Sequence, residues 1–194
     1  EISPSQAASL AELPAAHWAI VLAESFDSNL NGWIPFTDFS DEFGTRTFAF
    51  SNGSYRWTVQ PDRDVNLHDT PEMNALTDFY AAVTVRQTDG PDSADYGLAF
   101  RVVSSEGTDR FYSFSLSDSQ KYSWQLLQAG KWATLIPWTT SEAIVPGGVN
   151  RIAVLAEGEH FAFFVNDQLI NEGEDSSLIQ GRTGLVVDLF DPGV

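Results

Sequence analysis

What most constrains the fold of this chain is a succession of short β-branched and aromatic runs punctuated by Gly, Asn, Asp and Pro, with no long helical pattern among them. From Trp18 onward such runs occupy 19–24, 46–50, 54–60, 78–87, 95–103, 110–116, 121–128, 131–136, 150–157, 160–166 and 182–188. Many alternate with period two. Tyr112, Phe114 and Leu116 share one face against Ser113 and Ser115, and Tyr122, Trp124 and Leu126 oppose Ser123 and Gln125, as a strand with one buried face requires. Ser51-Asn52-Gly53, Ala129-Gly130, Gly158 and Asn166-Asp167 sit where tight hairpin turns are needed. Evenly spaced short strands without intervening helices predict an all-β antiparallel two-sheet β-sandwich or jelly roll and exclude a βαβ fold.

Composition narrows the functional classes. The 194 residues carry 27 acids against 10 bases, a formal charge of −17, and no cysteine. That charge repels phosphate backbones and anionic membrane surfaces, and no Lys/Arg cluster offsets it, so nucleic acid is not an expected partner. Disulfides, thiolate catalysis and Cys-ligated metals are excluded. No apolar run reaches the 18 or so residues that a membrane helix needs. Residues 1–17, rich in Ala, Ser and Pro, read as a linker or processed leader remnant, with 18–194 as one sandwich domain.

The richest local motif is Asp27-x-Asn29-x-Asn31-Gly32, with Asp38 eleven residues after Asp27. Alternating oxygen ligands and a glycine at the sharp turn follow the calcium-loop pattern. Calcium held by Asp27, Asn29, Asn31 and Asp38 is therefore one expectation, and an Asx/Gly turn needing the same residue types is the other. Asp62, Asp64, Asn66 and His68 form a second acidic stretch, read as a solvated loop, and Asp95 follows a Pro-containing turn. Glycoside hydrolysis needs two carboxylates across one bond, yet the acids cluster in turns. Loop carboxylates such as Asp62, Asp64 and Asp95 would have to converge. There is no nucleophile elbow, P-loop or dinucleotide fingerprint, and His17, His68 and His160 lie in unrelated contexts. Exposed aromatics flanked by polar groups remain as sugar-binding candidates. The polar strand faces single out Arg86, Arg101, Trp124 and Gln125 as ligand-binding residues.

The stretch from Tyr96 to Leu185 resembles a concanavalin A-like jelly-roll module related to laminin-G-like domains and to the 3-keto-disaccharide hydrolase family. The resemblance rests on Tyr96-Gly97-Leu98-Ala99-Phe100-Arg101, Phe111-Tyr112-Ser113-Phe114, Trp138-Thr139-Thr140, Asn150-Arg151-Ile152, Phe163-Phe164-Val165-Asn166-Asp167 and Gly181…Gly184-Leu185, with Glu24-Ser25-Phe26-Asp27 as the first strand. It implies an accessory module of an exported or cell-surface bacterial protein, joined to neighbouring domains. Such modules return to a last strand pairing with the first. Here that strand is either missing or reduced to Phe190-Asp191, which would leave an open sheet edge. The favoured function is a non-catalytic extracellular module that binds carbohydrate or another surface ligand. A protein-interaction domain without a small ligand and a glycoside-active enzyme are the alternatives.

Overall fold

A computed structural model describes residues 18–105 and 108–190, which contain thirteen strands and no helix. They are Phe36–Asp41 (β1), Gly44–Phe50 (β2), Tyr55–Pro61 (β3), Val65–Asp69 (β4), Phe79–Val85 (β5), Asp95–Ser105 (β6), Thr108–Ser117 (β7), Lys121–Gln128 (β8), Lys131–Thr140 (β9), Asn150–Glu157 (β10), His160–Val165 (β11), Gln168–Glu174 (β12) and Arg182–Leu189 (β13). They build a six-stranded sheet in the order β4-β13-β6-β7-β8-β9, a four-stranded sheet β12-β11-β10-β5 and a three-stranded sheet β1-β2-β3. Every pairing is antiparallel. The antiparallel sandwich read from the sequence is what forms.

The larger sheet is one layer, and the two smaller ones together cover its inner face. The main core lies between β6–β8 and β10–β11. Leu98, Phe100, Tyr112, Phe114, Leu116 and Trp124 meet Ile152, Val154, Phe161 and Phe163 there. Removing this much apolar surface from water is the dominant favourable term in folding. Rings fill the space densely: Phe114 stands 4.8 Å from Phe163, and Trp124 5.0 Å from the same ring. A second cluster joins the three-stranded sheet to β4 and the end of β13, with Phe48 stacked 4.2 Å from Trp57 over Val65, Leu67 and Leu189.

Two-residue turns set the hairpin registers. Asn52-Gly53, Ala129-Gly130 and Asn166-Asp167 each place both residues at positive φ, the geometry whose twist matches paired strands. Ser51 and Ser54 close the first of them by reciprocal backbone bonds of 2.8 and 3.0 Å.

Three strands escape the sequence reading and one expected strand does not form. β4 is the acidic stretch expected to be a loop; Val65, Leu67 and Asp69 are buried while Asn66 and His68 face away from the core. β1 and β12 are polar edge strands. Residues 19–24 belong to no strand, and Ile20 is 85% exposed. β-propensity without a partner makes no strand. Residues 1–17 and Asp191, on which the leader and last-strand expectations fall, lie outside the described residues.

Candidate functional site

The outer face of the six-stranded sheet differs in composition from its inner face. Inward Tyr112, Phe114 and Leu116 alternate with outward Ser113, Ser115 and Ser117 on β7, and β8 sets Ser123 and Gln125 beside them. β6 contributes Gly97 and Ala99, opposite Ser115 and Ser113. The serines of this strip are themselves buried, and larger groups stand at either end of it. At one end Phe111 carries the His68 ring at 4.6 Å and meets the Trp132 ring edge-on at 5.8 Å. His68 Nε2 lies 3.3 Å from Asp109 Oδ2. Burial holds the His68 imidazole below its ordinary range; Asp109 and Asp69 oppose that shift, and Arg182 adds to it. A neutral His68 keeps one ring nitrogen as donor and one as acceptor. Trp132 is 39% exposed, so an apolar ring surface faces solvent beside this polar group. Gln125 donates to Ser123 Oγ at 3.3 Å, and Ser115 Oγ is buried without a partner.

At the other end of the same face stand two acids. Asp188 on β13 pairs in register with Asp95 on β6 and with Asn66 on β4, and Asn66 Nδ2 donates to Asp188 Oδ1. Both carboxyls are 5% exposed. Burial, then the Asp188 charge, pushes Asp95 up to about 8. Burial raises Asp188 to about 6, against the hydrogen bond from Asn66. The Asp188 charge thus links the Asp95 titration to its neighbour.

Of the four expected ligand-binding residues, only Gln125 lies on this face. Trp124 is 2% exposed and packs in the core; adjacent strand residues point to opposite faces, so Trp124 and Gln125 cannot line one wall. Arg101 is 1% exposed. A bulge with φ of 50° turns it inward, where it donates to the carbonyls of Leu178, Thr77 and Gly158 and lies 4.7 Å over the Phe161 ring. It is a structural clasp. Arg86 lies just beyond β5, in the opposite layer, on a cleft between the smaller sheets.

The calcium-like loop is knit around an anion. Glu24 Oε2 accepts from Asn31 Nδ2 at 2.7 Å and Trp33 Nε1 at 2.9 Å, while Oε1 accepts from the Phe26 amide at 2.9 Å. Burial of Glu24 raises its pKa, but these bonds outweigh it and hold the carboxyl below its ordinary value. Asn29 spends both side-chain atoms on the Trp33 backbone, at 2.7 and 2.9 Å. Asp38 belongs to β1 and accepts from Thr47 on β2 at 3.2 Å, so it does not close the Asp27 loop. Among the described residues no three His, Cys, Asp or Glu side chains gather as a metal site. Asp62 and Asp64 are exposed in the turn before β4, and Asp95 lies two strands from β4 in the sheet, so these three carboxylates do not converge either.

Sequence comparison adds nothing: no family model matches the chain, and no curated protein does. Solved structures do match. The carbohydrate-binding module CBM66 from Bacillus subtilis superposes with a TM-score of 0.61 at 18% identity, over 84% of this chain and 94% of that one. A β-1,3-1,4-glucanase (lichenase) from a mouse hindgut metagenome gives 0.57 at 10% identity, over 88% and 85%. A Bacillus subtilis protein with a galectin-like fold gives 0.51 at 12%, over 75% and 80%. The fold is a concanavalin A-like jelly roll. Identities this low carry the architecture alone, and what this jelly roll binds has to be argued from its own faces.

Two groups on the outer face were not legible in the sequence. His68 sits in a stretch that reads as a loop, and Asp95 and Asp188 are 93 residues apart yet neighbours in the sheet. A cross-strand pair leaves no spacing signal in a single sequence. Trp132 falls in the 131–136 run, where nothing in the spacing marks its ring for solvent.

Proposed function

We propose that this jelly roll is a carbohydrate-binding module whose binding wall is the outer face of the six-stranded sheet. The observation that carries the reading is the exposed Trp132 ring, held edge-on by Phe111, beside the His68–Asp109 pair on a strip otherwise lined by serine and Gln125. Sugars present an apolar CH face and a rim of hydroxyls. An aromatic platform takes the first, and imidazole, carboxylate, guanidinium and amide groups take the second. Trp132 is the stacking residue, and His68, Asp109, Arg182 and Gln125 supply the hydrogen bonds. The site is non-catalytic in this reading, because the carboxyl pair that the described residues place on the face, Asp95 and Asp188, is almost fully buried. A module of this kind serves outside the cell, where polysaccharides are met, and the acidic, cysteine-free composition is consistent with that placement.

A panel of immobilised oligosaccharides followed by calorimetry tests it. Saturable binding of at least one glycan is expected, weakened about tenfold or more by Trp132→Ala. A blank panel, or a Trp132→Ala variant that binds as the parent does, would overturn the assignment.

A further inference from the structure

The cleft between the two smaller sheets is not used by sugar binding on the outer face. Two edge strands face each other there without a strand partner. β3 and β5 are edge strands of their sheets; residues 21–25, in no strand, line a neighbouring cleft along β5, and Phe26 stands where the two clefts adjoin. The cleft between β3 and β5 has the inner face of β13 as its floor, with Leu185, Val187 and Leu189, and encloses about 570 Å³. Open edges leave a row of N–H and C=O groups unpaired and are normally blunted by charge, Pro or a bulge. β5 reads Phe-Tyr-Ala-Ala-Val-Thr-Val and has none of these. Two further polar atoms on this cleft, Trp57 Nε1 and Gln87 Oε1, are buried without a partner, a state that buried polar groups rarely keep.

Charge at the cleft selects what fits. Arg56 on β3 and Arg86 beyond β5 stand exposed on opposite banks, and neither enters an ion pair among the described residues. In a chain of net charge −17 with only 10 bases, two such guanidiniums across one groove favour a negatively charged occupant. Asp89, in the β5–β6 loop, is an exposed acid at one end of the cleft, while the buried Asp95 side chain points to the outer face.

We propose that this cleft docks an extended acidic segment of a partner polypeptide by strand addition. The segment bonds its backbone to the free edges of β3 and β5, lays alternate apolar side chains on Leu185, Val187 and Leu189, and turns its carboxylates out to Arg56 and Arg86. Main-chain bonds give such docking its affinity and alternate side chains its specificity.

The test uses a blocked, fluorescein-labelled heptapeptide alternating valine with aspartate. One control replaces aspartate with lysine, and another carries N-methyl groups on alternate amides. Anisotropy should show saturable binding of the acidic peptide, with amide exchange slowed in β3 and β5. The N-methylated peptide should bind about tenfold more weakly or worse, since it cannot complete the ladder. The Arg56→Glu, Arg86→Glu double variant, altered only at exposed positions, should lose a similar factor and gain affinity for the lysine peptide. Trp132→Ala should leave peptide binding unchanged, which separates this inference from the sugar reading. No saturation, equal binding of the N-methylated peptide, or indifference to the charge reversal would each overturn the proposal. So would self-association that protects β5 without peptide, which would make a second copy the occupant.

Discussion

Asp95→Asn should make the protein more stable in alkaline solution and leave it little changed in acid. Asp95 and Asp188 are register partners on neighbouring strands, both nearly excluded from water, with no cation paired to either among the described residues. A carboxyl raised from 3.8 to about 8 keeps its proton in the folded chain over a range where the unfolded chain has lost it. Its stabilising contribution is therefore complete below the unfolded value and drains away as pH rises toward 8. One such proton changes stability by about 1.4 kcal/mol per pH unit, so about 4 kcal/mol is the ceiling between pH 5 and 8. Water penetration and side-chain relaxation cut this, and about 2 kcal/mol is a working figure. Asparagine mimics the uncharged acid at every pH. In a chain of this size the variant should melt roughly 4–8 °C above the parent near pH 9 and within about 2 °C of it near pH 5. Calorimetric melts of both proteins at constant ionic strength read this directly, and titrations common to both cancel in the difference. Parallel profiles, or a variant less stable than the parent at alkaline pH, would refute the retained-proton account.

Other substitutions separate structural from binding roles. Trp124→Ala should cost about 3–5 kcal/mol by opening a core cavity, whereas Trp132→Ala should change stability by less than about 1 kcal/mol and act on glycan affinity; chemical unfolding and calorimetry distinguish the two. Arg101→Met should lower stability by about 3 kcal/mol or more in urea unfolding, because three carbonyls lose their donor and the methionine that fills the space has none to offer. Asn29→Ala should cost about 1 kcal/mol, since it removes both bonds to Trp33. Calcium against EDTA should move the melting temperature of the parent by less than about 1 °C, because the Asn29 and Asn31 amides are spent inside their own loop; a larger calcium-dependent rise would make the loop an ion site by linkage.

The fold was legible because alternation and turn chemistry are local. Tyr112-Ser113-Phe114-Ser115 shows its two faces in four letters, and Asn52-Gly53 names its turn. β4 was obscured because its outward positions, Asn66 and His68, match an oxygen-ligand loop as well as a solvated strand face. Residues 19–24 show the converse failure, since pattern cannot supply a neighbour. The site was less legible than the fold. Arg101 has a polar side chain on an apparent polar face, but one bulge redirects it into the interior, and bulge positions follow from pairing with the next strand. The Asp27 to Asp38 spacing imitates a cation loop because turns and cation sites draw on the same short oxygen-bearing residues. What organises that loop is Glu24, outside the motif.

The position of β13 has a consequence for how the molecule assembles. β6 to β9 follow one another as a meander and can form hairpin by hairpin as they are made. β4, synthesised earlier, belongs to the same sheet but its backbone pairs there only with β13, more than 110 residues later; the Asn66–Asp188 bond spans 122 residues. Until that strand arrives, a growing chain exposes two unsatisfied borders, one on β4 and one on β6. The nascent protein would thus stay vulnerable to mispairing through most of its synthesis and lock together in a late, cooperative step, with β13 sliding between its neighbours as a keystone.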